Sequence, residues 1–360
     1  MIGATYYFDL QGKLNIYAFL VKGITLYVNY WDGSQWKWAN QGKPADTGVL
    51  QTPGVITHVD SVSRRQLVYA FVRGNNGNLY VNYWDGSKWQ WANQGKPSGT
   101  DVGSAPSALT YFEGKDRIYA FTSGEDGKFY ANYWDGTKWQ WVELPAGGSI
   151  PGATWFRDPA SLKRRIYVFG LVQNWVTELE SETSISINEW DGTKWQGALQ
   201  PSAPPHGTAG YQHPAAISYL EAGKPRVYGF VNSAGFLTVY YWDGTKWQWA
   251  DQGKPPGTQV WSAEVSSVTY TSASGKQWIH AFVTGEDHKL YMNFWDGTKW
   301  QWVGYGKPPT VLQISNPTAI TFRDATGKQQ IYVFVMGSDG NVYVNYGDIS
   351  NRTWANQGAP

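Results

Sequence analysis

An all-β fold built from seven copies of one four-stranded repeat follows from three observations on the 360-residue sequence. The first is a Trp-Asp-Gly triplet starting at Trp31, Trp84, Trp134, Trp190, Trp242 and Trp295, at intervals of 53, 50, 56, 52 and 53 residues, with an eroded seventh copy at Gly347-Asp348. The second is an apolar tetrad upstream of each triplet, starting at Ile16, Val68, Ile118, Ile166, Val227, Ile279 and Ile331 and ending each time in Phe. The third is strand-like patterning throughout each repeat, with little helical periodicity anywhere. A repeat of about 51 residues lies at the long end of propeller blades and far above most helical repeats. The reading is a seven-bladed β-propeller with four antiparallel strands per blade. It forms one domain over residues 1–360, with repeats at approximately 1–50, 51–100, 101–148, 149–206, 207–258, 259–310 and 311–360.

The second repeat shows each element in order. Gly54 to His58, Leu67 to Val72, Leu79 to Trp84 and Trp89 to Asn93 are short runs rich in β-branched and aromatic residues, bounded by Gly, Asn, Asp and Ser. The links at residues 72–78 and 85–88 are short and turn-rich, as hairpins with positive-φ glycines require. Each blade of a propeller is covered on both faces, which explains the weak polar/apolar alternation. The chain starts on a first-strand motif (Ala4 to Phe8) and ends on a fourth-strand one (Trp354 to Gln357), so two closures are open. Either every blade is made from one repeat, or residues 4–8 complete the last blade.

Composition narrows the function. The chain is 16% charged and 17% aromatic, with 22 Trp and 24 Tyr, where a typical soluble protein is about a quarter charged. With 29 Lys+Arg against 28 Asp+Glu and no basic run, nucleic acid is not an expected partner. The absence of Cys removes disulfides, thiolate nucleophiles and Cys-based zinc sites. No stretch approaches the ~18 apolar residues of a membrane span, so no membrane insertion is expected. Residues 1–5 lack the charged and apolar regions of a signal peptide, so the expectation is a cytoplasmic protein or one released by a nonclassical route.

The distinctive element is the hairpin Tyr-x-Asn-Tyr-Trp-Asp-Gly-[Ser/Thr]-[Lys/Gln]-Trp-[Gln/Lys]-Trp, which holds 18 of the 22 tryptophans. Alternation puts Tyr80, Asn82 and Trp84 on one face of the third strand and Val81 and Tyr83 on the other, while Trp89, Trp91 and Asn93 share a face of the fourth. These rings serve either as wedges filling the gap between splayed blades or as stacking platforms for the C–H face of a sugar, whose hydroxyls need fixed polar partners. Asn29, Asn82, Asn132, Asn188 and Asn293 recur beside the Trp pairs and are bound either to the protein or to a ligand. The triplet aspartates read as turn-formers. Polar tips at Asn75-Asn76, Glu125-Asp126, Glu286-Asp287 and Ser338-Asp339 are a secondary polar cluster that either holds ligand hydroxyls or is solvated.

No calcium-loop spacing occurs, so no metal is implied, and neither is a cofactor. His58, His206, His213, His280 and His288 share no repeat position and no metal-ligand spacing, so no catalytic residue is assigned. A paired-carboxylate glycosidase needs one special site, whereas this chain repeats its most distinctive residues.

With Tyr80 to Pro97 read as Tyr-Val-Asn-Tyr-Trp-Asp-Gly-Ser-Lys-Trp-Gln-Trp-Ala-Asn-Gln-Gly-Lys-Pro, the chain resembles the seven-bladed propeller lectins of the Photorhabdus type over all seven repeats. The resemblance implies a bacterial, non-enzymatic, multivalent lectin that binds L-fucose and O-methylated saccharides in aromatic pockets between neighbouring blades. It also implies a homo-oligomer, dimer or tetramer, that recognises host glycans. Carried onto this sequence, the sugar-binding positions are Asn29, Trp31 and Trp36; Asn82, Trp84 and Trp89; Asn132, Trp134 and Trp139; Trp190 and Trp195; Trp242 and Trp247; and Asn293, Trp295 and Trp300. Three repeats depart from the pattern. The fifth has Tyr240 where Asn is expected. The fourth has Glu189 for a tyrosine, Gly197 for a tryptophan and a longer loop, Val172 to Ser184. The seventh has Gly347 and Arg352 for two tryptophans, which removes its site. Four to six working sites follow, with the pairing of their walls open. The alternatives are a protein-interaction scaffold of the WD-repeat kind, exposing Trp155, Trp175, Trp261 or Trp278 on a rim, and a propeller glycosidase.

Overall fold

The computed structural model describes residues 1–175, 181–200, 204–207 and 212–360. The chain folds as a seven-bladed β-propeller whose blades are four-stranded antiparallel sheets, and no helix forms among the described residues. In chain order the blades are β1–β4 (Ile2–Phe8, Leu14–Lys22, Thr25–Trp31, Trp36–Gly42), β5–β8 (Val49–Val59, Gln66–Gly74, Leu79–Trp84, Trp89–Gly95) and β9–β12 (Ser107–Phe112, Asp116–Ser123, Phe129–Trp134, Trp139–Glu143). They continue as β13–β16 (Gly152–Arg157, Arg164–Trp175, Ser181–Trp190, Trp195–Leu199), β17–β20 (Ala215–Glu221, Lys224–Ser233, Phe236–Trp242, Trp247–Asp251), β21–β24 (Ser266–Thr271, Gln277–Thr284, Leu290–Trp295, Trp300–Gly306) and β25–β28 (Thr318–Arg323, Gln329–Met336, Val342–Gly347, Arg352–Asn356). Packing groups the chain into two compact units, Met1–Pro151 with Pro360, and Gly152–Ala359.

Strand order within every sheet follows the chain. β1 pairs with β2 from Ile2↔Leu20 to Phe8↔Leu14, and β25–β28 form a full sheet of their own. The opening strand therefore belongs to the first blade and does not complete the last. In the fourth blade the expected loop Val172 to Ser184 is instead an extended hairpin, paired from Val172↔Ser184 out to Trp175↔Ser181. Measured against the repeat this segment reads as a longer loop, yet its described backbone extends the β14–β15 ladder. Residues 176–180 of that span, and the side chain of Trp175, lie outside the described residues.

The core follows from the tetrads. Phe19, Phe71, Phe121, Phe169, Phe230, Phe282 and Phe334, the last residue of each, are all fully buried. Within each unit the first strands of successive blades run close together, and three of them need glycine. A Cβ on Gly3 would lie 2.1 Å from the Pro53 carbonyl oxygen, on Gly54 2.4 Å from that of Pro106, and on Gly152 2.0 Å from that of Pro214. This contact draws the blades together at their first strands, so the gaps open toward the third and fourth strands, where the aromatic hairpins lie.

Candidate functional site

The Trp-Asp-Gly turn is built by its own side chain. Asp85 Oδ1 accepts from Ser87 N at 2.8 Å, Ser87 Oγ at 2.7 Å and Lys88 N at 2.9 Å, while Oδ2 accepts from Gln90 Nε2. Asp32, Asp135, Asp191, Asp243 and Asp296 repeat the turn. Hydroxyl and backbone donors, preceded at Asp32 by the Lys37 ammonium, hold these carboxyls below the usual range, Asp243 and Asp296 at about 2. The turn fixes the two rings beside it. Trp84–Trp89, Trp134–Trp139, Trp242–Trp247 and Trp295–Trp300 all sit with centroids 5.7–5.9 Å apart at 49–56°. Trp31–Trp36 and Trp190–Trp195 match them. Every ring of these pairs is half-buried.

Within each compact unit the wall pairing is now explicit: the Trp pair of one blade faces the tyrosine ladder of the blade before it. Trp89 lies edge-on to Tyr17 and Phe19 of the first blade, and Trp139 to Phe71 of the second. Trp247 meets Tyr167 and Phe169 of the fourth, and Trp300 meets Phe230 of the fifth. The last tryptophan of the hairpin is a clasp. Trp91 Nε1 donates to the Gln41 carbonyl at 2.8 Å, Trp141 to Gln94 at 2.9 Å, Trp302 to Gln252 at 2.8 Å and Trp354 to Tyr305 at 3.0 Å, each in the preceding blade.

Among the described residues, cavities open in three of these gaps. Between the fifth and sixth blades, about 710 Å³ is walled by Trp295 and Trp300 on one side and Tyr219, Tyr228 and Tyr241 on the other, with the Arg226–Glu221 pair (2.9 Å) in its lining. Between the second and third blades, about 500 Å³ is walled by Trp134 and Trp139 against Tyr69 and Tyr83. Between the fourth and fifth, about 280 Å³ is walled by Trp242 and Trp247 against Tyr167. There Glu189 Oε1 accepts from Arg165 Nη1 at 2.5 Å and Tyr167 Oη at 3.0 Å, and Arg165 Nε lies 3.4 Å from Asp158. Glu189 is thus a fixed acceptor and Arg165 a fixed donor beside two indoles.

The asparagines are placed differently from the rings. Asn29, Asn82, Asn132 and Asn293 are 1% exposed, and their Nδ2 atoms reach fourth-strand carbonyls of the same blade at 3.4–3.5 Å. Their Oδ1 atoms are buried and have no protein hydrogen bond. Asn293 is still part of the fifth–sixth cavity wall. Asn188 is fully buried. The tip residues sit apart from all three cavities. Asp126 and Asp287 accept from Tyr130 and Tyr291 at 2.8 and 2.7 Å, Glu125 pairs with Arg73 at 2.8 Å, and Glu286 is exposed.

Apart from Asn293, polar residues that line the cavities, among them Arg165, Glu189, Arg226, Glu221, His58 and Asp116, were not among the sequence candidates. Register supplied the missing signal, since Arg165 and Arg226 both stand opposite the first-strand aromatic, at Phe156↔Arg165 and Tyr219↔Arg226. In the seventh blade Arg352 replaces the first Trp of the fourth strand. Its guanidinium lies 4.9 Å from the Tyr305 ring centroid and 5.8 Å from that of Phe282, and its Nε donates to Asn345 Oδ1 at 2.6 Å. Among the described residues no His, Asp and Glu groups gather as a metal site, and no helix is long and apolar enough to cross a membrane.

No protein-family model and no curated protein sequence matches the chain. Solved structures do. The lectin BP39L of Burkholderia pseudomallei superposes with a TM-score of 0.68 at 17% identity, covering 98% of this chain and 96% of its own. A mutant of the Aleuria aurantia lectin, in complex with α-methyl-L-fucoside, gives 0.56 at 17%, covering 87% and 98%. The lectin SapL1, also in complex with α-methyl fucoside, gives 0.52 at 16%, covering 87% and 98%. At these identities the likeness is one of fold: the chain is similar to β-propeller lectins.

Proposed function

We propose that this protein is a multivalent, non-enzymatic lectin that binds L-fucose and O-methylated saccharides in the aromatic gaps between successive blades. The observation that carries the reading is the repeated juxtaposition of a turn-fixed Trp pair with the tyrosine ladder of the preceding blade, with polar groups beside it where Trp242 and Trp247 share a cavity with Arg165 and Glu189. A half-buried indole offers an apolar face for a sugar ring, and a methyl on a sugar oxygen or at C6 adds apolar surface to that contact. Arg165 and Glu189 supply a donor and an acceptor for adjacent hydroxyls, oriented before the ligand arrives. Two of the structurally similar lectins are in complex with α-methyl fucosides, which supports the sugar class.

Several such gaps on one chain suit a glycan-coated host surface, because linked weak sites gain avidity without new contacts. Calorimetric titration of the protein with L-fucose and with methyl-O-fucosides tests the proposal. Saturable binding with more than one site per chain, lost stepwise on Trp247→Ala and Trp300→Ala in variants that stay folded, is the expected result. No heat at millimolar sugar would overturn it.

A further inference from the structure

The cavity between the second and third blades differs from the other two in having carboxylates but no cationic side chain in its lining. The fourth–fifth and fifth–sixth cavities each carry an arginine opposite the first-strand aromatic, Arg165 and Arg226, which pairs with one carboxylate of the lining, Glu189 and Glu221 respectively. In the second blade the same register position is Leu67, opposite His58. The wall there contains Asp60 and Asp116, and neither lysine nor arginine. Arg117, next to Asp116 in sequence, commits its guanidinium to the Asp135 carbonyl at 2.5 Å.

Hydrogen bonding fixes the state of the two buried groups. Thr110 Oγ1 donates to the Arg117 carbonyl at 2.8 Å, so toward His58 Nδ1, 2.9 Å away, it acts as an acceptor, and Nδ1 carries the imidazole proton. Burial favours the neutral ring and, with Asp116 opposing it, still leaves the His58 pKa below its ordinary value. Neutral His58 therefore turns a bare Nε2 lone pair toward Asp116 Oδ1, 3.6 Å away. Asp116 is 9% exposed; its Oδ2 is held by Ser61 N and Oγ at 3.0 and 2.9 Å, while Oδ1 is buried without a hydrogen bond. Two acceptors thus face each other at the edge of an aromatic cavity with no donor between them. A nitrogen carrying several protons is the group that would satisfy both acceptors, a positive charge on it is favoured by Asp116, and Trp134, Trp139, Tyr69 and Tyr83 line the same cavity.

We infer that the second–third cavity is a site for a saccharide with a free, protonated amine, a 2-amino-2-deoxyhexose, its ammonium bridging Asp116 Oδ1 and His58 Nε2 and its ring against the Trp134/Trp139 pair. The inference rests on the lectin reading above and gives this gap a specificity separate from the arginine-bearing ones.

The test uses the full chain and three probes in parallel calorimetric titrations: D-glucosamine at about pH 6, where an amine of ordinary basicity is charged, N-acetyl-D-glucosamine as its neutral counterpart, and L-fucose. The expected result is binding of glucosamine with at least about tenfold preference over the acetylated sugar, the size of one charge-assisted hydrogen bond. Asp116→Asn, which keeps the shape and the Ser61 contacts, removes that preference, while L-fucose binding at the arginine-bearing gaps, which Asp116 does not line, and the melting temperature are retained. His58→Phe places there the residue found at the equivalent Phe156 and Phe322, so it is compatible with the blade, and it weakens glucosamine in the same way. If L-fucose binds and glucosamine does not, or if glucosamine binds equally to Asp116→Asn or no better than its acetylated form, the inference falls and the lectin reading stands. If no sugar binds at all, both fall.

Discussion

Glu189→Gln isolates the polar half of the fourth–fifth gap. The substitution keeps side-chain length and an oxygen for Tyr167 and Arg165, so what it removes is the negative charge and one acceptor lone-pair set. Two magnitudes follow from the geometry. For stability, the Arg165–Glu189 contact at 2.5 Å is between side chains 34% and 28% exposed, so solvent screening limits its worth to less than about 1 kcal/mol. In a chain of this size that lowers the melting temperature by no more than about 2–4 °C. For binding, a hydroxyl that donates to a carboxylate loses about 1.5–3 kcal/mol when the charge goes, which is roughly ten- to a hundredfold in the affinity of that one gap. The assay is a calorimetric titration with L-fucose analysed for stoichiometry as well as affinity. One site should leave the measurable range while those at the other gaps remain, with circular dichroism melts confirming the fold. Unchanged stoichiometry and affinity in a folded Glu189→Gln chain would refute the assignment of Arg165 and Glu189 as ligand-facing groups.

Trp91→Phe keeps a ring but removes the indole N–H that reaches Gln41, and should cost about 1–3 kcal/mol in chemical denaturation through the orphaned carbonyl; an unchanged midpoint would show that water replaces the clasp. Arg352→Met retains much of the stem that packs on Tyr305 and Phe282 but strips Asn345 Oδ1 of its donor, and should lower the unfolding midpoint by a comparable amount without altering L-fucose stoichiometry. The triplet aspartates give an acid limit. Their folded pKa values lie below the unfolded 3.8, at about 2 for Asp243 and Asp296, so their contribution is present above pH 4 and is lost as pH falls toward 2. Melts recorded from pH 7 to pH 2 should hold down to about 4 and decline below it, and Asp243→Asn should flatten that decline.

Strand number, blade number and the hairpin turn were legible because each is set by neighbours close in sequence. Asp85 bonds residues two, three and five positions on, and the tetrad Phe is buried in every blade, so a local pattern repeated seven times carries its own meaning. The fourth-blade hairpin was misread for the converse reason: its pairing from Val172↔Ser184 to Trp175↔Ser181 is a backbone matter that Ser, Thr and Glu side chains do not advertise. The site was half legible. Alternation correctly grouped Trp84 with Asn82, but it also gave the asparagine and the rings the same prospects, whereas at 1% exposure Asn82 is closed off and Trp84 is not. Depth along the strand, which alternation does not encode, separates them.

Cavity chemistry was illegible because it is made by pairs distant in sequence. Arg165 meets Glu189 through strand register within one blade, and His58 meets Asp116 across two. Neither spacing repeats, so a search for recurring residues passes over both. The repeated residues therefore build the gap, and on the proposed lectin reading the unrepeated ones would decide what enters it. A turn carboxylate, a Trp pair and an indole clasp recur in most blades and fix the hairpin against the blade before, while the fourth blade, with Gly197, and the seventh, with Gly347 and Arg352, form complete sheets without the full set. On the proposed lectin reading, selectivity would lie in the second-strand residue opposite the first-strand aromatic, which is Leu67, Arg165 and Arg226 at the three cavities described. If that position governs ligand charge, Leu67→Arg should turn the second–third gap away from an ammonium by setting a cation near Asp116, and leave the Trp134/Trp139 geometry intact. Retention of glucosamine binding in a folded Leu67→Arg chain would show that the aromatic walls, and not the charges, set the specificity.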